Sequence, residues 1–154
     1  LAQAEAAVSR TGFDQIEFLF APNPGEPFKP LKAIASSGEM ARVMLALKTV
    51  LATQDSIPIL VFDEVDSNLG GETAGVVGKK MKQIGANRQV LCITHLAPVA
   101  AAGHRHYLVS KEVVEGRTLT RVTQLDGESR VEELTRMLGG GGAAARQHAE
   151  ELLS

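Results

Sequence analysis

The stretch IPILVFDE, residues 57–64, decides how the rest of the chain is read. Pro58 sits near its start, the run 57–62 carries no polar side chain, and Asp63-Glu64 end it abruptly. An apolar run of strand length without alternation predicts a strand covered on both faces in an α/β sheet. Ligands of such sheets bind at the carboxyl ends of the strands. The carboxylate pair therefore stands where this architecture puts its chemistry. Residues 89–94, QVLCIT, form a second run of the same kind, and His95 follows it directly.

Working outward, Gly70-Gly71 lead into a predicted helix near 72–84, with Val76, Val77, Met81 and Ile84 expected inward. Upstream of the first strand, Met40, Val43, Met44, Leu47, Val50 and Leu51 recur with helical spacing and form one apolar stripe. Ser36 or Ser37 is placed to cap that helix. Residues 15–20 set Ile16, Phe18 and Phe20 against Glu17, the alternation of a half-buried strand. Residues 21–30 hold four of the six prolines and are expected to form a loop, because proline lacks the amide that a ladder or helix uses.

Downstream, strands near 106–114 and 118–125 flank Glu115-Gly116 as a hairpin. Ser129 with Glu132 has the spacing of a capping box for a helix ending near Leu138. Residues 139–142 are all glycine and read as a hinge or linker before a short amphipathic helix, so 139–154 is expected to be a hinge and C-terminal helix. The alternation of strands and helices predicts an α/β layered domain: a mostly parallel sheet flanked by helices, with a hairpin and C-terminal helices.

Composition narrows the function. The 154 residues are 44% hydrophobic and 22% charged, which is a globular balance. The net charge of −2 excludes a module that grips nucleic acid by bulk positive charge. No apolar run approaches the roughly 18 residues of a membrane span. The single cysteine, Cys92, excludes an internal disulfide framework and fits a reducing cytosol. The opening LAQAEAAVSRTG lacks the basic start and apolar centre of a secretory signal. Leu1 in place of methionine points to processing or to a piece of a longer chain.

Several groups of residues have chemistry to offer. A carboxylate pair such as Asp63-Glu64 can hold Mg²⁺ through one member and polarise water through the other, or simply mark where a strand surfaces. Ser36-Ser37-Gly38-Glu39 stands at a helix start, where free amides and the helix dipole favour an anion; a plain N-cap has the same look. His95 can bond a phosphate or an attacking water, or be a structural histidine. Asp66, Ser67 and Asn68 fit an ordinary polar turn. His104 and His106 form an H-x-H pair that could join Asp63 or Glu64 around a metal, though nothing nearby supports it. Cys92 reads as a small buried apolar residue, and Arg42 and Lys111 as surface charges.

Taken in order, these features resemble the C-terminal lobe of an ABC-type ATPase head. Residues 35–39, ASSGE, resemble the signature motif; 59–64, ILVFDE, resemble Walker B with its glutamate; 65–69, VDSNL, resemble the D-loop; and His95 resembles the switch histidine. The longer stretches at 35–48, 61–81 and 90–112, with ELTRMLGG at 133–140 and HAEELL at 148–153, resemble the RecN family of SMC-like proteins of bacterial double-strand-break repair. The similarity runs from about Phe13 to Leu153.

The resemblance implies an ATP-hydrolysing head lobe acting in DNA repair and recombination, cytoplasmic and nucleoid-associated. It implies that Asp63 binds Mg²⁺ through water, Glu64 activates the attacking water and His95 contacts the γ-phosphate. Ser36, Ser37, Gly38 and Glu39 would bind ATP held by a second head, and Asp66 would organise that contact. The implied partners are an N-terminal Walker A lobe, a second copy across sandwiched ATP, and DNA through the whole protein, with no membrane. Two departures stand out. Ser37 replaces the usual signature glycine, and no G-x-x-x-x-G-K-[ST] loop occurs in the sequence, so activity of this chain by itself is not expected. A dimerisation or docking module, the head lobe of another SMC-like or ABC ATPase, and a metal hydrolase are the alternatives.

Overall fold

The computed structural model describes residues 10, 12–13, 16–21, 23–33, 37–51 and 57–154. The chain divides into two compact units, Leu1–Ser36 and Ser37–Ser154. In the first unit, strand β1 (Leu19–Phe20) pairs antiparallel with β2 (Lys29–Pro30), and a 3-10 turn spans Leu31–Ala33. Only the end of the expected strand at 15–20 is paired, and Gln15 lies outside the described residues. The proline-rich segment contributes β2 at its end. The Leu31 amide donates to Phe18 O at 2.8 Å just past this pairing, so Pro30 falls at a position whose amide would face away from β1 and is tolerated there.

The second unit runs α1 (Ser37–Val50), β3 (Ile59–Phe62), α2 (Gly71–Gly85), β4 (Gln89–Cys92), α3 (Ala97–Ala102), β5 (His106–Val114), β6 (Arg117–Leu125), α4 (Gly127–Met137) and α5 (Ala143–Leu153). β3 and β4 pair in parallel, with Ile59 opposite Gln89 and Phe62 opposite Cys92. The crossover between them is α2, the βαβ unit that parallel pairing requires. β5 and β6 form the expected hairpin. Its turn residues Glu115 and Gly116 both have positive φ, 49° and 77°, the pattern of the tight turn whose twist matches the strands.

Three expectations are corrected. Leu60 and Phe62 of β3 are buried, but Ile59 and Val61 are 51% and 63% exposed. The strand is covered on one face only, because the helices of this unit pack on that side. The inward face of α1 is not the predicted stripe either: Gly38 and Leu45 are buried while Met44, Val50 and Leu51 are exposed. Contacts of Gly38 and Arg42 with the loop after β3 fix the rotation of this helix. Val76 lies off the buried stripe of α2, which is Ala74, Val77, Gly78, Met81 and Ile84. It rims a shallow groove of about 310 Å³ against Leu45, Ala46 and Val50.

The core has two parts, and α3 belongs to both. Val99 joins Leu45, Leu60, Phe62, Val65, Val77, Met81 and Ile84, while Ala97, Ala100 and Ala101 join Leu134 and Ala149. No apolar stripe marks this six-residue helix in the sequence. Its packing surface is small side chains, which let α2 approach closely: a Cβ on Gly78 would lie 2.9 Å from Pro98 O and 3.0 Å from Ala102 Cβ.

α4 starts two residues before the predicted box. Asp126 is its N-cap, and Ser129 is the third helical residue, whose hydroxyl accepts the Asp126 amide at 3.0 Å. Ser129 is thus the returning member of the box, not its cap. The glycine run makes the turn into α5 through positive φ at Gly139, Gly140 and Gly141, and α5 packs on α3 and α4.

Candidate functional site

The loop between β3 and α2 carries the carboxylates. Glu64 and Asn68 adopt left-handed backbone conformations, φ 55° and 60°, without being glycine. Such strain persists only where neighbours hold it. Here the Ser67 amide donates to Glu64 O at 3.0 Å and the Leu69 amide to Asp66 O at 3.2 Å, closing two successive turns.

The N-terminal turn of α1 clasps this loop. Ser37 Oγ donates to the Glu64 carboxylate. Gly38 presses so near that a Cβ would meet Ser67 Oγ at 1.8 Å and Glu64 O at 2.9 Å, so only glycine fits. Arg42 Nη1 donates to Val65 O at 3.3 Å and Ser67 O at 3.1 Å. From its sequence context Arg42 reads as a surface charge. It is a half-buried tether of the loop, and its position one turn after Gly38 was the available signal.

The loop is pinned from the other side by Asp66, which is 1% exposed. Its carboxylate accepts the Thr94 hydroxyl and the His95 amide, the latter at 3.2 Å. His95 Nδ1 stands 3.7 Å from the same oxygen, while its side chain is 71% exposed. Thr94 Oγ1 also accepts the Leu96 amide at 3.0 Å. Asp66 thus joins the ends of β3 and β4 from within the chain, and Thr94 is a further site residue whose role sequence reasoning did not assign.

Asp63, Glu64 and His95 therefore gather at the carboxyl ends of the parallel pair, with Ser37 and Gly38 beside them. Asp63 is exposed and makes no hydrogen bond or ion pair with a described residue. Glu39 is half-buried in the first turn of α1. Ser36 lies outside the described residues. Beneath the site, burial pushes the Cys92 thiol up to about 12, with the Asp66 and Asp63 carboxylates adding to the rise. Cys92 is an inert packing residue.

His104 and His106 are not drawn into a metal-ligand cluster. Among the described residues no three His, Cys, Asp or Glu side chains gather in one. His106 instead lies against Arg130 and Glu133, beside an open cavity of about 1010 Å³ between β4 and β5. Burial, then the Arg130 charge, lowers its pKa against the opposing pull of Glu133. Arg130 Nη2 donates to Ala101 O at 2.9 Å and Gly103 O at 2.5 Å, satisfying carbonyls at the end of α3.

The site is thus a parallel strand pair carrying Asp-Glu at its carboxyl end, clasped by a serine-glycine helix start and followed by a histidine. Solved structures with this fold include the Smc head domain with a coiled coil and joint from Pyrococcus yayanosii, at TM-score 0.55 and 22% identity, covering 88% of this chain and 25% of that one. The Smc head with an extended coiled coil bound to the C-terminal domain of ScpA, from Pyrococcus furiosus, matches at TM-score 0.53 and 24% identity, covering 75% and 27%. The fold is that of an SMC ATPase head domain.

No family model matches the chain. Curated relatives narrow the assignment. The DNA repair protein RecN of Xylella fastidiosa is 48% identical over 138 residues, 90% of this chain and 25% of that protein. RecN of Treponema pallidum is 47% identical over 97% of this chain and 27% of its own length, and RecN of Bacillus subtilis 40% over 95% and 26%. The chain is RecN-family sequence along nearly its whole length, and it spans about a quarter of the length of those relatives. None of the described helices is long and apolar enough to cross a membrane.

Proposed function

We propose that this chain supplies one side of a composite ATP site in an SMC-like ATPase of DNA double-strand-break repair and recombination. The observation that carries the reading is the clasp of Ser37, Gly38 and Arg42 on the Asp63–Ser67 loop, with Asp66 tying that loop to Thr94 and His95. It supports reading these residues as the family's signature, Walker B, D-loop and switch.

The donor set fits Mg²⁺. Asp63 is a single exposed carboxylate, and Mg²⁺ ordinarily takes one or two carboxylates together with water and phosphate oxygens. Bound there, the ion would offset the charge that develops on the transferring phosphoryl group. Glu64 orients the attacking water and accepts its proton at the carboxylate. His95, held at its amide by Asp66, presents its exposed ring to the γ-phosphate. Ser36, Ser37 and Gly38 close on ATP held by a second copy, with Glu39 in the same turn. Asp66 shapes the mating surface from beneath. The phosphate loop would come from an N-terminal lobe, since the sequence here holds none. DNA would be met by the whole protein, in the cytoplasm at the nucleoid.

The test is ATP hydrolysis by this chain, alone and mixed with a RecN lobe that carries the phosphate loop. Activity is expected only in the mixture, and Glu64→Gln abolishes it while ATP binding survives. Retained turnover in Glu64→Gln removes the base assignment. The missing phosphate loop favours one other reading, a non-catalytic docking module. A folded mixture that binds its lobe and hydrolyses nothing supports that one.

A further inference from the structure

The carboxylate of Asp66, 1% exposed, grips two consecutive residues at once: it accepts the Thr94 hydroxyl and, at 3.2 Å, the His95 amide. Resting on the composite-site reading above, we propose that Thr94 is a positioning residue for hydrolysis: through Asp66 it fixes the backbone from which His95 reaches the γ-phosphate of its own head. A threonine hydroxyl carries one proton. Here that proton goes to Asp66, while the oxygen accepts the Leu96 amide at 3.0 Å. No proton is left for a nucleotide, so Thr94 acts on the reaction only through its neighbours.

These bonds bracket His95. On one side its amide is tied to Asp66, and on the other Leu96, the N-cap of α3, is tied to Thr94 and supplies no side-chain cap of its own. The ring, by contrast, stands in the open. Its side chain is 71% exposed, and Nδ1 lies 3.7 Å from Asp66 Oδ2, too far for a hydrogen bond. The fixed main chain therefore decides where the ring can reach. Removing the Thr94 proton leaves a buried carboxylate short of one donor, which is costly, and frees the turn between β4 and α3. A group displaced by about 1 Å from its productive position can cost on the order of 100-fold in rate.

The experiment uses the full-length protein that contains this chain and measures ATP turnover together with ADP affinity. Thr94→Val, which keeps the shape and removes the proton, is expected to lower kcat about 10–100-fold. ADP has no γ-phosphate for His95 to meet, so its affinity is expected to stay at the wild-type value. Thr94→Ser, which keeps the hydroxyl, restores kcat. His95→Ala sets the limit, because a residue that acts through His95 costs no more than His95 itself. Wild-type kcat in Thr94→Val overturns the proposal. So does a loss larger than that of His95→Ala, a parallel loss of ADP affinity, or a Thr94→Ser as impaired as Thr94→Val. Where Thr94→Val does not fold, Thr94→Ala is read on the same terms. Wild-type turnover in His95→Ala removes the underlying assignment of His95, whereas an impaired His95→Ala beside an unimpaired Thr94→Val overturns the role of the threonine alone.

Discussion

Gly38 and Glu64 show how closely single residues can be fixed by a loop. Glu64 accepts a left-handed φ of 55°, and the carbonyl it presents leaves no room for a side chain on Gly38. Gly38→Ala would set a methyl 1.8 Å from Ser67 Oγ and 2.9 Å from Glu64 O. Overpacking of this kind costs about 1–3 kcal/mol, read as a lower urea midpoint. Adding Ser67→Ala is expected to return part of that loss and not all, since the contact with the backbone oxygen remains. Full recovery would mean the oxygen yields freely. The serine-glycine pattern was legible in the sequence, but the reason for the glycine was not. A sequence does not show what a missing Cβ would strike.

His106 gives a residue-scale prediction for pH. Burial and Arg130 hold its pKa below the ordinary value near 6.5. The folded chain therefore takes up a proton less readily than the unfolded chain. Stability is unaffected above the unfolded pKa and falls as pH drops from about 6.5 toward the lower folded pKa. Thermal midpoints between pH 7.5 and 5 should show this decline, and His106→Phe should flatten it. A decline of the same size in His106→Phe would assign it to other groups. Glu133 acts lower on the scale: its hydrogen bond with Arg136 lowers its pKa, so its contribution is lost only as pH falls through the carboxylate range.

Among the elements, α2 offers two glycines with opposite expectations. Alanine favours a helix interior over glycine by about 1 kcal/mol when nothing stands in its way. A Cβ on Gly75 meets nothing within 4 Å, so Gly75→Ala should raise stability by about 0.5–1 kcal/mol. A Cβ on Gly78 meets Pro98 O at 2.9 Å and Val99 Cα at 3.3 Å, so Gly78→Ala should lower it by about 1–3 kcal/mol. Chemical denaturation of the two variants checks both signs, and equal effects would show that α3 does not rest on α2 as described. The periodicity of α2 was readable because three of its buried residues, Val77, Met81 and Ile84, are large and spaced by four and three. α3 was not, because its contacts are made by alanines. α1 was readable as a helix but not in rotation, since two contacts at its first turn outweigh its larger apolar stripe.

At the scale of the whole molecule, the parallel pair is covered on one side. Ile59, Val61, Leu91 and Ile93 are between 47% and 63% exposed, an apolar surface larger than scattered single residues would make. In the composite-site reading a phosphate-loop lobe shields it. Binding of an environment-sensitive dye to this chain should fall when that lobe is added. Val61→Lys should leave the stability of the chain within about 0.5 kcal/mol, as expected at an exposed position, yet weaken its association with the lobe. Unchanged association would place the lobe on another surface.

The sequence by itself determined the order of helices and strands apart from β2 and α3, the hairpin and the family, along with the positions of Asp63, Glu64 and His95 at strand ends. Those are local matters: apolar periods, turn chemistry and short motifs are written residue by residue. Only the tertiary structure decided which face of each element is buried, that Asp66 works inside the chain, that Arg42 tethers the loop and that Ser37 reaches Glu64. Each of these depends on contacts between residues 20 to 30 positions apart, and close packing selects among them by distances that no spacing in the sequence records.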